Sequence, residues 1–221
     1  MQIFEYHPPK LPWLDIRYID RDVIVINKPS GLLSNPGRAE VTHDCALTRL
    51  QQLYPETILV HRLDCDTSGI MVFARSKKAE SHLKTQFQER HNDKLYIAEV
   101  DGWLEQDQGS INLPLAPNRD NPPLQKVDSE GKKAITHYSV LQRREDAQGK
   151  STLVSLQPET GRTHQLRVHM LALGHVILGD DFYGDERVRR ARPRLCLHAA
   201  SLLFSHPWSN KEMHFVSMAG F

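Results

Sequence analysis

Cysteine is scarce in this chain, and its three copies, Cys45, Cys65 and Cys196, stand far apart with no CxxC pair. That spacing argues against a disulfide framework and against a thiolate zinc site, and it suits a reducing compartment. No run approaches the ~18 apolar residues of a membrane span. The opening MQIFEYHPPKLPW lacks the basic region and apolar core of a secretory signal, so a cytoplasmic protein without membrane association is expected. Net charge is nearly absent as well, with 28 Lys plus Arg against 27 Asp plus Glu. Total charge therefore gives no case for a nucleic-acid partner, and only its distribution can. Basic residues gather at Arg75, Lys77 and Lys78, and again at Arg187, Arg189, Arg190, Arg192 and Arg194. Either run suits a phosphate backbone or a solvated face. Repeats, linkers and low-complexity stretches are also lacking. What is present is an ordinary globular balance, 39% hydrophobic and 25% charged over 221 residues, enough for one domain with a substantial core.

Alternating and β-branched runs predict strands at 22–27, 58–60, 70–73, 94–100, 134–141, 152–157, 195–204 and 212–217. Helical stripes predict helices over 44–53 and 76–90. The second has Ser76 as N-cap and Ala79, Leu83 and Phe87 on one face. A third helix is expected from the N-cap Thr163, with Leu166, Met170 and Leu173 buried and Gly174 stopping it. The Pro-rich residues 1–14 read as an extended arm packed through Trp13 and Leu14. The fold class expected is α+β, a single mixed α/β domain over 1–221 on a largely antiparallel or mixed sheet flanked by helices and loops.

Chemistry concentrates in HRLDCDTSG at 61–69, between two apolar runs. Asp64 sits where strand structure gives out, a position that mounts a carboxylate on rigid support yet leaves it open to a ligand. Asp66 is one pleat further on and reads as a turn residue; Cys65 reads as inert. Lys28 is expected to project from the loop NKPSGLLSNPG. Tyr96 shares a strand face with Ala98 and Val100. Arg167 lies off the buried stripe near the helix N-terminus, where a carboxylate or phosphate would be favoured.

Five segments, NKPSGLL at 27–33, HRLDCDTSG at 61–69, KLYIAEV at 94–100, TGRTHQLRVHM at 160–170 and LCLHA at 195–199, together resemble the RluA family of RNA pseudouridine synthases. The resemblance runs in order over nearly the whole chain, and two of the strings are long enough to make chance agreement untenable. The arm HPPKLPW and the lack of an N-terminal S4 RNA-binding domain look most like the family's dual-specificity member. The resemblance implies an isomerase, free of cofactor and metal, that detaches uracil from ribose C1′, rotates it and rejoins it through C5. It places the catalytic aspartate at Asp64, the active-site tyrosine at Tyr96, the arginine partnering the aspartate at Arg167, and the arginine that intrudes as the base flips at Arg62. Lys28 and the 187–194 cluster become candidate RNA contacts. The implied partners are RNA stem-loops of 23S ribosomal RNA and of the tRNA anticodon, met by a monomer.

Two rival readings use the same residues. A metal-dependent hydrolase would recruit His61, Asp64, His164 and His169, though no spacing typical of metal ligands supports it. A non-catalytic RNA-binding module would need the basic surface but not Asp64.

Overall fold

The computed structural model describes residues 6–221, so the first five residues of the expected arm lie outside the described residues. In chain order the elements are β1 (Ile16–Ile19), β2 (Val23–Lys28), α1 (Ala46–Leu53), β3 (Ile58–Leu59), β4 (Ser68–Ala74), α2 (Lys77–Glu89) and β5 (Asp93–Asp101). They continue as β6 (Gln108–Asn112), β7 (Leu115–Pro117), β8 (Gln125–Val127), β9 (Ile135–Asp146), β10 (Gly149–Pro158), α3 (Gln165–Ala172), α4 (Glu186–Arg190), β11 (Leu197–Ser205) and β12 (Glu212–Val216). This is a mixed α+β architecture, as the patterning predicts. The chain packs as two compact units. One holds the residues up to Asp93 with Ala199–Met218, the other Lys94–His198 with Ala219–Phe221.

In the first unit the apolar run Ile70–Phe73 becomes β4, buried along its whole length. It pairs antiparallel with β2, from Val23 opposite Ala74 to Lys28 opposite Gly69. β1 flanks β2, β11 lies on the other side of β4, and β12 pairs with β11. α2 covers this sheet as its stripe predicts, with Ala79 and Leu83 packing among Val72, Ala74, Leu202 and Phe204, and Phe87 partly buried beside them. Its start is set by Ser76, whose hydroxyl accepts the Ala79 N–H at 3.1 Å.

The expected arm is held by two residues whose role its sequence does not show. The buried Tyr6 donates its hydroxyl to the Asp44 carbonyl and accepts the Leu33 N–H. The buried Arg49 donates to the carbonyls of Pro9 and Trp13 while its other nitrogens grip Asp44 at 2.6 and 2.9 Å.

In the second unit β5, β10, β9 and β6 form an antiparallel run. The β9–β10 hairpin is longer than the alternation predicts, because Asp146 pairs with Gly149 and only two residues remain to turn. α3 departs from expectation at both ends. Its N-cap is His164, in the left-handed region at φ 52°, rather than Thr163. Leu173 is exposed, while every residue from Gln165 to Met170 is buried. The helix runs through the unit's interior, so a one-sided stripe describes it poorly.

Gly69 of β4 faces the Ala199 main chain of β11 and has φ +122°; a Cβ there would sit 2.3 Å from the Ala199 carbonyl oxygen. Neither the backbone angle nor the space admits a side chain. Gly69→Ala is therefore expected to destabilise the protein by about 3 kcal/mol or more, read as a lowered melting midpoint in chemical denaturation.

Candidate active site

The segment 61–67 carries no regular hydrogen-bonded ladder of its own, so its shape is imposed from outside. His61 is fixed where its Nε2 accepts the Val72 N–H at 3.1 Å and its ring stacks on Phe87 at 4.5 Å. Arg62 points to solvent, Leu63 is buried and Asp64 is half-buried. This alternation is locked by Ser34, whose hydroxyl donates to the Leu63 carbonyl at 2.7 Å and accepts the Leu63 N–H at 3.0 Å. Ser30 donates to the Asp66 carbonyl at 2.7 Å, and the Gly31 N–H reaches the Cys65 carbonyl at 3.0 Å. A turn from the Asp64 carbonyl to the Thr67 N–H closes the segment. The loop 28–34 thus grips the main chain on both sides of Asp64. Sequence reading saw that loop only as Pro, Gly and Ser punctuation; the hydroxyls of Ser30 and Ser34 were the missed signal.

Lys28 corrects an expectation. It does not project toward a phosphate but is fully buried, and its Nζ donates to the carbonyls of Pro29, Leu32 and Cys65 at 3.0, 2.6 and 2.9 Å. Three carbonyl dipoles matched to the three donors of an ammonium make a buried charge tolerable. The side chain knots loop 28–34 to the segment bearing Asp64. Burial and the neighbouring Asp66 charge push the Cys65 thiol up to about 12, which disfavours the nucleophilic thiolate.

In the second unit, Tyr96 lies half-buried on β5 against the core that contains Ala98 and Val100. Arg167 is buried, with Nε and Nη2 on the two carboxylate oxygens of Asp180 at 2.8 and 2.6 Å. Asp180 Oδ1 also accepts the N–H groups of Phe182 and Tyr183 at 2.9 and 3.1 Å. The rings of those two residues lie against the guanidinium at 4.9 and 5.3 Å. Asp180 is thus one carboxylate that the position of Arg167 calls for, and it comes from a segment whose pattern predicts no element. A planar fork held at two points and flanked by aromatic rings has almost no rotational freedom.

The other candidates have structural work. His164 bonds the Tyr183 hydroxyl through Nδ1 at 2.8 Å, and His169 bridges Thr136 and the Leu113 carbonyl at 2.9 and 3.0 Å. Burial lowers the His169 pKa. With His61 also engaged, the imidazoles of the rival metal site are committed to hydrogen bonds elsewhere. The 187–194 cluster, expected as a possible phosphate track, is largely paired. Arg187 grips Asp101, Arg189 meets Asp181, Arg190 meets Glu186, and Arg192 binds Glu99 and Asp146. Among the described residues one trio, Asp20, Asp22 and His206, brings three potential metal-ligand atoms together. There, however, Asp20 and His206 are bonded to each other.

The family model described as RNA pseudouridylate synthase matches residues 22–172. This chain belongs to that family. It is 52% identical over 212 residues to the dual-specificity RNA pseudouridine synthase RluA of Vibrio parahaemolyticus, covering 95% of this chain and 85% of that protein. It is 49% identical to the protein of the same name from Escherichia coli strain K12 over 222 residues, the full length of both. Among solved structures, human RNA pseudouridylate synthase domain containing 1 superposes with a TM-score of 0.80 at 30% identity, covering 96% of this chain and 86% of the human one. In this synthase both conspicuous strings, HRLDCDTSG and GRTHQLRVHM, lie inside the matched region.

Two substitutions separate scaffold from substrate contact. Lys28→Met leaves three carbonyls without their donor and is expected to cost at least about 3 kcal/mol of stability. The slope of log RNA affinity against log salt should stay unchanged; a slope reduced by about one would instead mark a phosphate contact. Asp180→Asn is expected to cost about 3 kcal/mol or more by removing the charged partner from two nitrogens of the buried guanidinium. Denaturant titration measures this, and an unchanged midpoint would contradict the assignment.

Proposed function

We propose that this enzyme converts specific uridines in RNA stem-loops to pseudouridine, with Asp64 as the essential carboxylate. The observation that carries the reading is the presentation of Asp64 itself. It is half-buried beside the exposed Arg62, on a segment whose main chain is gripped on both sides by loop 28–34. That rigidity suits a group that must meet one ribose carbon in a fixed orientation.

The reaction is an isomerisation. The N1–C1′ bond breaks, the uracil turns, a C5–C1′ bond forms, the proton at C5 leaves and N1 gains one. Positive charge develops at C1′, so a carboxylate serves either as nucleophile there or as base on the ribose. Arg62, free to extend into solvent, fills the stack vacated by the flipped base, and Tyr96 stacks on that base. The resemblance supports Arg167, its guanidinium already held by Asp180, as the arginine that partners the catalytic carboxylate. No step calls for a cofactor or a metal. The name of the bacterial relatives, dual-specificity synthase, supports two RNA substrates, and we assign a 23S ribosomal RNA loop and a tRNA anticodon stem-loop. All three cysteines are free, in keeping with a reducing, cytoplasmic workplace; among the described residues no helix is long and apolar enough to cross a membrane.

Tritium release from RNA labelled at uridine C5, measured in chelator with both stem-loops, tests this reading. Wild type is expected to release tritium. Asp64→Asn should lose ~10²–10⁴-fold or more in rate while still binding RNA. Equal release by both proteins would remove Asp64 from the chemistry, and binding without release by either would favour the RNA-binding module.

A further inference from the structure

One basic run of the sequence, Arg75, Lys77 and Lys78, has a use that the active site does not absorb. At the end of the first unit's sheet away from Asp64, two turns and the start of α2 carry Arg21, Trp208 and Lys78. Arg21 lies in the turn before β2, Lys78 in the first turn of α2, and Trp208 in the turn between β11 and β12. Trp208 is 63% exposed, so its indole presents a flat face at the surface. Two cations lie against its ring, Lys78 Nζ at 4.7 Å and the Arg21 guanidinium at 5.3 Å from the centroid.

The ring is held in this place. Trp208 and Ser209 donate their N–H groups to His206 Nδ1 at 3.2 and 3.1 Å, so the ring proton is on Nε2, which donates to Asp20 at 2.9 Å. Asp20 Oδ1 accepts the N–H groups of Asp22 and Val23, both at 2.8 Å, and its other oxygen accepts the Tyr18 hydroxyl at 2.8 Å. Arg75 donates to the Asp20 carbonyl. One carboxylate and one imidazole thereby fasten the turn of Arg21 to the turn of Trp208. The chemistry at the patch is cationic. Lys77 is paired with Glu80 at 2.9 Å, and the nearest carboxylate to Arg21, that of Asp22, is 4.0 Å away at the limit of an ion pair. From Lys78 a cavity of about 770 Å³ continues along α2, lined by Ser81, His82, Thr85, Ser205 and Asn210 among others. The carboxylate in that lining, Glu89, faces His91 at 3.4 Å.

We propose that Arg21, Lys78 and Trp208 form a second RNA contact that takes backbone phosphates of the substrate remote from the target uridine. This rests on the RNA-substrate reading above. An aromatic ring with two cations against it reduces their freedom before binding, and so lowers the entropic cost of gripping an anion. Alternating phosphates are the anions an RNA synthase meets. Asp64 precedes the start of β4 and the patch follows its end, and the seven residues of β4 span about 20 Å. The site therefore engages RNA beyond the loop that holds the target, such as an extended stem.

The test compares wild type with Arg21→Ala/Lys78→Ala and with Trp208→Ala on two labelled RNAs, a minimal stem-loop and the same loop on a long stem. Affinity is measured against salt and tritium release is measured in parallel, with thermal melting as the check on folding. On the long RNA the double variant is expected to lose about tenfold in affinity, with the salt slope reduced by about two. The Trp208 variant should lose part of this, and the saturated rate should be unchanged. On the minimal loop neither variant should differ from wild type. Wild-type slope and affinity on the long RNA would overturn the proposal and leave the patch to an acidic protein or to solvent. If wild type itself releases no tritium from either RNA, the substrate reading has failed, and the patch proposal with it.

Discussion

The ammonium of Lys28 lies in the interior of the first unit and draws three main-chain carbonyls onto itself, and the presentation of Asp64 depends on that knot. A charged group survives in such a place only where dipoles replace its water. The bonds made by Ser30, Ser34 and the Gly31 N–H extend the same grip over residues 63–66. The result is a backbone held without a ladder, in which a buried leucine anchors, an arginine reaches outward, and a carboxylate stands half-open between solvent and protein. Function in this enzyme is thus supported by polar contacts to the main chain and not by packing alone.

The same device recurs elsewhere with other chemistry. Arg49 pins the arm through two carbonyls. Asp180 holds Arg167 and caps the N–H groups of the next turn. Asp20 and His206 join two surface turns. Gln165 ties the approach to α3, its amide nitrogen donating to Ile135 and Thr136 while its oxygen accepts from Thr160 and the Arg162 N–H. In each case one side chain with several donors or acceptors converts irregular chain into a fixed shape, at a net gain of roughly 0.5–1.5 kcal/mol per neutral bond and more for charged ones. Irregular segments carry the chemistry, and these multidentate residues supply the rigidity that secondary structure would otherwise provide.

The basic residues divide accordingly. The 187–194 run looks like a nucleic-acid track in one dimension, yet in three its charges meet Asp101, Asp181, Glu186, Glu99 and Asp146. Pairing with these carboxylates, three of them on distant segments, offsets much of that charge. Lys78 and Arg21 instead lie against one indole, which holds them without neutralising them.

The sequence by itself determined eight of the strands and the three longer helices, because period-2 and period-3.6 patterns, Ser76 before α2 and the Gly and Pro boundaries are local properties; β1, β6, β7, β8 and α4 carry no such pattern. It also determined the family, through two long motif strings, and with it the candidates Asp64, Arg62, Tyr96 and Arg167. Only the tertiary structure decided what each polar side chain touches. It turned Lys28 from a surface cation into a buried knot, set Asp180 beside Arg167, moved the cap of α3 to His164, and revealed Ser34 and Trp208. The reason is physical: backbone preference and hydrophobic period act over a few neighbours, whereas a hydrogen-bond partner such as Cys65 for Lys28, 37 residues away, exists only once the chain has folded.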